Sequence, residues 1–134
     1  MALSERTAVT ASMSFTDAAR TCLTFKFATF SGRARRAEYW WFALVYVGAV
    51  AVIGGAGFAM EVPWLAVLLV PFLVPMLSVS VRRLHDTGKS GWSMLIALIP
   101  VVGPVVYLLG MTMDSAAGPN RYGPSPKTAD RSAD

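Results

Sequence analysis

The sequence predicts an all-α integral membrane protein with an N-terminal amphipathic helix, three hydrophobic helical segments (the third broken by Pro and Gly) and an extended C-terminal tail. Three observations carry that expectation. Tyr39–Met60, Val62–Val81 and Ser90–Met113 contain no Asp, Glu, Lys or Arg, and each holds 20 or more residues. A helix needs about 20 residues, rising ~1.5 Å each, to cross a hydrocarbon core. Composition agrees, with 54% hydrophobic and 15% charged residues, against roughly 25% charged in soluble domains. The charge is also segregated: of 12 Lys and Arg, six precede Tyr39, three lie in the 82–91 connector and three in the tail.

The chain divides into a disordered start (1–13), a single membrane domain (14–126, spans about 39–60, 62–81 and 92–113) and a disordered end (127–134). Ser14-Phe-Thr-Asp17 resembles a capping box, with a hydroxyl at the helix start and a carboxylate three residues on. At 100° per residue Phe15, Ala18, Ala19, Cys22, Leu23 and Phe30 share one arc, which Lys26 interrupts. The expectation is a helix of about 14–17 residues lying in the headgroup plane; the alternative is a helix packed on the ends of the spans. Ser31-Gly32 ends it.

Arg33, Arg35 and Arg36 then lead through Glu38 into Tyr39-Trp40-Trp41-Phe42. Cations followed by Tyr and Trp mark a membrane boundary, where the rings sit among headgroups with polar tips wet. Ala51, Gly55 and Ala59 recur every four residues, a spacing that lets helix backbones approach closely. Their expected partner is the second span, across the short Glu61–Pro63 turn; a homodimer face is the sharper alternative. Pro71 and Pro75 interrupt span two and predict a kink, with Ser78 and Ser80 near the carbonyls they free.

The connector Arg82-Arg-Leu-His-Asp-Thr-Gly-Lys-Ser-Gly91 reads as a tight turn. Asp86 and Thr87 are expected to cap backbone amides, and Gly88 and Gly91 to take positive φ. It is not a phosphate loop, because Leu84 stands where a Walker A motif needs Gly, five residues before Lys89. Pro100, Gly103 and Pro104 break the third segment. One broken crossing is the expectation, and a re-entrant hairpin is the alternative. Nine Lys and Arg lie before Tyr39 and in the connector and none in the 61–63 turn, which puts the N-terminus and connector in the cytoplasm. A single crossing then leaves the tail outside; a hairpin returns it inside.

Little chemistry is written into this chain. One Cys and one His cannot build a closed metal site, and no cofactor motif is present. His85-Asp86 has no nucleophile tied to it, so no catalytic residue is assigned. No basic stripe with interleaved exposed aromatics points to nucleic acid. No apolar run follows a basic start within Met1–Phe15, so no cleaved signal peptide is read.

Three motifs flank the spans: Phe30-Ser-Gly-Arg-Ala-Arg-Arg-Ala-Glu-Tyr-Trp-Trp-Phe42, Arg82-Arg-Leu-His-Asp-Thr-Gly-Lys-Ser-Gly-Trp92 and Gly118-Pro-Asn-Arg-Tyr-Gly-Pro-Ser-Pro126. In this order and spacing, across residues 15–126, the chain resembles the DUF805 family of small bacterial inner-membrane proteins. The acidic residue usual in the last motif is Ser125 here. The resemblance implies a multi-pass protein of the bacterial plasma (inner) membrane and no activity. The residues themselves suggest a polar collar of Arg33, Arg35, Arg36, Glu38, Arg82, Arg83, His85, Asp86, Lys89, Asn120, Arg121 and Tyr122. Glu38, at the lipid edge, is expected to pair with Arg35, Arg82 or Arg83. The function expected is a non-enzymatic module organising anionic lipid headgroups or partner proteins, as a monomer or homo-oligomer. The alternative is a component of an oligomeric transporter of small solutes or ions, although the spans lack the ionisable groups that carriers use.

Overall fold

A computed structural model describes residues 13–126; the expectations for residues 1–12 and 127–134 lie outside them. Helix α1 covers Phe15–Arg20 and continues in wider turns through Thr21–Phe25. Two long helices follow, α2 (Arg36–Ala59) and α3 (Pro63–Asp86), each long and apolar enough to cross a membrane. A 3-10 helix, α4 (Gly91–Leu98), and an α-helix, α5 (Val102–Thr112), complete the set. Among the described residues there is no strand, only an isolated bridge between Asn120 and Gly123.

The Ser14 hydroxyl accepts the Asp17 amide at 3.2 Å and starts α1 as the capping motif predicts. The helix is shorter than expected and stops at Lys26, before Ser31-Gly32. Its end is held by α3: Ser78 Oγ donates to the carbonyls of Lys26 (3.1 Å) and Thr29 (2.6 Å). Ser78 therefore serves α1, not the carbonyls freed by proline, while Ser80 Oγ bonds Met76 O one turn back. The buried face of α1 is Ala18 and Cys22, small enough to bring it against α2. Phe15 meets Trp41 edge-on at 5.8 Å.

α2 and α3 form an antiparallel hairpin through Glu61, which adopts φ 54°. The close approach is made at Gly57, where a Cβ would stand 3.1 Å from Val62 O. Ala51, Gly55 and Ala59 point outward and are exposed, so the expectation that this stripe meets the second span is corrected. Helical phase explains the outcome: Gly57 is about 200° from Gly55. α3 begins as a 3-10 helix, Pro63–Leu69, and turns α-helical at Val70 with Pro75 buried inside it. Of the expected aromatic belt, Trp40 and Trp41 are exposed. Tyr39 is buried in the core with Phe42, Val79, Leu84 and Met111.

The third segment turns back, which corrects the expected single broken crossing. α4 and α5 pack side by side. At the tip the Val102 amide bonds Pro100 O at 2.8 Å, and Val101 sits at φ 65°, ψ −59°, a γ-turn that β-branched residues rarely adopt. Gly103 makes the reversal possible, because a Cβ there would lie 2.0 Å from Ile96 O. At the open end of the hairpin Lys89 Nζ is 3.6 Å from Met113 Sδ. Thus both ends of the segment, and the tail that follows, lie at the same end of α2 and α3 as Glu38 and Arg82.

Candidate functional site: a polar collar at one end of the bundle

Two ion-pair centres lie where α1, α2, α3 and the tail converge. In the first, Arg82 Nη1 donates to Glu38 Oε1 at 2.5 Å, with both side chains almost fully buried. The Cys22 thiol makes a long contact to the same oxygen, 3.9 Å. Burial pushes this thiol up to about 11, the Glu38 charge adding to the effect and Arg82 opposing it. Arg82 Nε and Nη2 are buried without a hydrogen-bond acceptor among the described residues. The Arg82 carbonyl accepts the Ala34 amide at 3.1 Å, which fastens the segment before α2 onto α3.

The second centre is Asp86, fully buried and shared by two guanidiniums. Arg33 Nε donates to its Oδ1 at 2.9 Å, and Arg83 Nη1 and Ser115 Oγ donate to its Oδ2. Two cations on one carboxylate leave an excess charge, which backbone dipoles offset. Arg83 reaches the carbonyls of Met111 and Met113, at the C-terminal end of α5, where unpaired carbonyls carry partial negative charge. Arg33 gives one further bond to Asp86 O (3.1 Å) and the others to Ala116 O (2.9 Å), Gly118 O (2.9 Å) and Gly123 O (3.4 Å) of the tail. The tail is ordered by these bonds. Asn120 Nδ2 adds one to His85 O at 2.9 Å, and Arg35 adds one to Pro126 O at 2.7 Å.

His85 and Asp86 are neighbours in sequence that face different surroundings. His85 Nδ1 lies 3.1 Å from Gly32 O; a carbonyl only accepts, so Nδ1 carries the proton. The ring stacks on Tyr122, centroids 3.7 Å apart and planes within 4°, and Arg121 lies over the other member of the pair at 4.7 Å. Asp86 is taken by arginines, so it caps no amide of the turn. Thr87 Oγ1 donates to Leu84 O, which also differs from the amide cap expected. Gly88 takes φ 79°, and Gly91 does not take positive φ.

The structure thus divides the sequence-derived collar in two. Arg33, Glu38, Arg82, Arg83, His85 and Asp86 are buried and bonded internally. Arg36, Lys89 and Arg121 are exposed around them, with Arg35, Asn120 and Tyr122 half-buried. Arg36 makes a loose pair with Asp114 at 3.8 Å. Sequence reasoning missed Ser115 and Cys22 as members. Cys22 had a signal in its four-residue spacing from Ala18, both small residues on one helix face; Ser115 had none.

The family described as "Protein of unknown function (DUF805)" matches residues 27–124 of this chain. The chain belongs to the DUF805 family. Relatives of this DUF805 protein include "Inner membrane protein YhaI" of Escherichia coli K12, 42% identical over 101 residues, covering 73% of this chain and 86% of the relative. "Inner membrane protein YhaH" of the same strain is 36% identical over 110 residues, covering 73% and 87%. "Uncharacterized protein YiiR" is 32% identical over 122 residues, covering 71% and 84%. No solved structure matches. The DUF805 match begins after α1 and ends just past Tyr122, so it contains both sets of ion pairs and the docked tail as far as Pro124, but not Cys22 or Pro126.

Proposed function

We propose that this protein is a non-enzymatic module of the bacterial inner membrane that gathers anionic phospholipid around itself. In this arrangement α2 and α3 cross the bilayer, α4 and α5 form a re-entrant hairpin, and the N-terminus, collar and tail are cytoplasmic. Two relatives carry the name inner membrane protein, which supports the location. Among the described residues, eight Lys and Arg before Tyr39 and in the connector, against none in the 61–63 turn, favour the orientation.

The observation that carries the proposal is the division of the surface. The long helices present apolar side chains outward, among them Val52, Phe58, Trp64 and Val67. The exposed cations Arg36, Lys89 and Arg121 encircle one end. The buried arginines and carboxylates are consumed by Glu38–Arg82 and Arg33–Asp86–Arg83, so these pairs form a scaffold and the outer cations face headgroups. Juxtamembrane cations gain about 1 kcal/mol each near an anionic leaflet.

The test is reconstitution in mixed phosphatidylglycerol and phosphatidylethanolamine, with mass spectrometry of the lipid that co-purifies and a parallel solute-flux assay on sealed vesicles. Phosphatidylglycerol enriched severalfold over the bulk, in tight vesicles, is expected. Bulk lipid composition around the protein, or saturable solute flux, would refute the proposal, the latter in favour of transport.

A further inference from the structure

A crevice of about 370 Å³ lies between the end of α3, the start of α4 and the docked tail, lined by Val81, His85, Ser90, Trp92, Met94 and Tyr122. Its volume falls within the roughly 300–1,000 Å³ of small-molecule sites. His85 is more than nine-tenths buried, and its position in this wall is fixed at Nδ1 by Gly32 and at the ring face by Tyr122. With the proton on Nδ1, Nε2 keeps its lone pair. That nitrogen faces Gly91 at the crevice wall, where a Cβ would stand 3.7 Å from it. An acceptor on a ring held by two contacts, beside the crevice wall at Gly91, is suited to a hydroxyl donor. A cation lies next to this wall: Arg121 is exposed, its guanidinium held over the Tyr122 ring. Apart from Ser90 the remaining walls are apolar, and Trp92 stands 80% exposed at the mouth, where an indole suits the headgroup layer.

Acceptor, cation and apolar wall occur together at the end of the bundle that carries the exposed basic residues. From them we infer that the crevice holds one phospholipid whose headgroup is anionic and hydroxyl-bearing, of the phosphoglycerol class. The headgroup hydroxyl donates to His85 Nε2, the phosphate meets Arg121, and the acyl chains leave past Trp92 and Met94. The tail completes the site, since Tyr122 is a wall and Arg121 a ligand. This inference rests on the lipid-gathering function proposed above and adds to it a single specific site.

The full chain is placed in nanodiscs of equal phosphatidylglycerol and phosphatidylethanolamine with matched acyl chains, and the complexes are released in a native mass spectrometer. One phosphatidylglycerol per chain is expected to survive collision energies that strip the other lipids. Retention should fall at least tenfold in His85→Asn, which keeps a donor for Gly32 and removes the acceptor at Nε2. Arg121→Gln should do the same, and because Arg121 is exposed that variant tests the site even if His85→Asn misfolds. Lys89→Gln should lower the general enrichment of phosphatidylglycerol and leave the retained lipid in place. Equal retention of phosphatidylethanolamine, or retention unchanged in both crevice variants, would overturn the inference. Displacement of the retained lipid by equimolar glycerol phosphate would assign the crevice to a soluble phosphate instead and overturn it too. General enrichment without any retained lipid would refute the crevice alone, whereas no enrichment would refute the proposed function with it.

Discussion

Arg82 and Glu38 are each affordable inside the bundle only because of the other. Removing one partner strands a buried charge, at a cost of about 3–5 kcal/mol, whereas replacing both with apolar residues of similar volume is often neutral. Glu38→Gln is therefore expected to lower the melting temperature in detergent sharply. The double variant Glu38→Met/Arg82→Met should recover most of the loss, more so because it also removes the two unpartnered nitrogens of Arg82. Equal and additive losses would mean the two side chains do not depend on each other. Cys22, beside this pair, is expected to resist alkylation at pH 8 in the folded protein and react at once when unfolded, since its thiol is buried and titrates near 11. The sign for stability follows. A thiol raised from 9.0 in the unfolded chain stays protonated in the fold, so its contribution is complete below pH 9 and is lost as pH rises toward 11. The sequence made the need of Glu38 for a cation legible, because a lone carboxylate at the edge of hydrocarbon is costly. It left Arg35, Arg82 and Arg83 open as partners. The choice depends on which face of α3 meets α2, a matter of packing.

At the scale of elements, the charge-free runs located α2 and α3, whose ends differ from those runs by one to five residues. The third run was misread for a physical reason: length alone distinguishes no single crossing from two half-length arms. The decisive residues are Val101 and Gly103. Pro100 and Pro104 were visible as breakers, but a tight reversal needs a residue with φ above zero, and valine gives no such sign. That strain is testable. Val101→Gly should raise the melting temperature, because the left-handed strain it relieves, about 1–3 kcal/mol, exceeds the ~0.5–1 kcal/mol of backbone entropy that glycine costs. Gly103→Val should destabilise the fold by more than the roughly 1–3 kcal/mol typical of an overpacked core and lower the melting temperature, because the obstacle is the Ile96 carbonyl and not a movable side chain. An unchanged melting temperature for Gly103→Val would mean that α4 and α5 do not pack in this way. The small-residue stripe taught a related lesson. Ala51, Gly55 and Ala59 have the spacing of a packing face, yet Gly57, outside the pattern, makes the contact.

On the scale of the whole molecule, one end gathers nearly everything polar. The connector between α3 and α4, the segment before α2 and the tail are far apart in sequence, yet Arg33 binds both Asp86 and the tail carbonyls from Ala116 to Gly123. That convergence exists only if the third segment turns back, so the hairpin and the docked tail stand or fall together. The central claim is thus that the tail lies on the same side of the membrane as Arg33 and opposite Glu61. The direct measurement is labelling of intact cells with a membrane-impermeant maleimide, in a Cys22→Ser background carrying either Glu61→Cys or Asp114→Cys. Both original side chains are exposed, so access depends on sidedness. The account predicts labelling at position 61 in intact cells and at position 114 only after permeabilisation. Labelling of position 114 in intact cells would contradict it, placing the tail outside and separating it from Arg33 and Asp86.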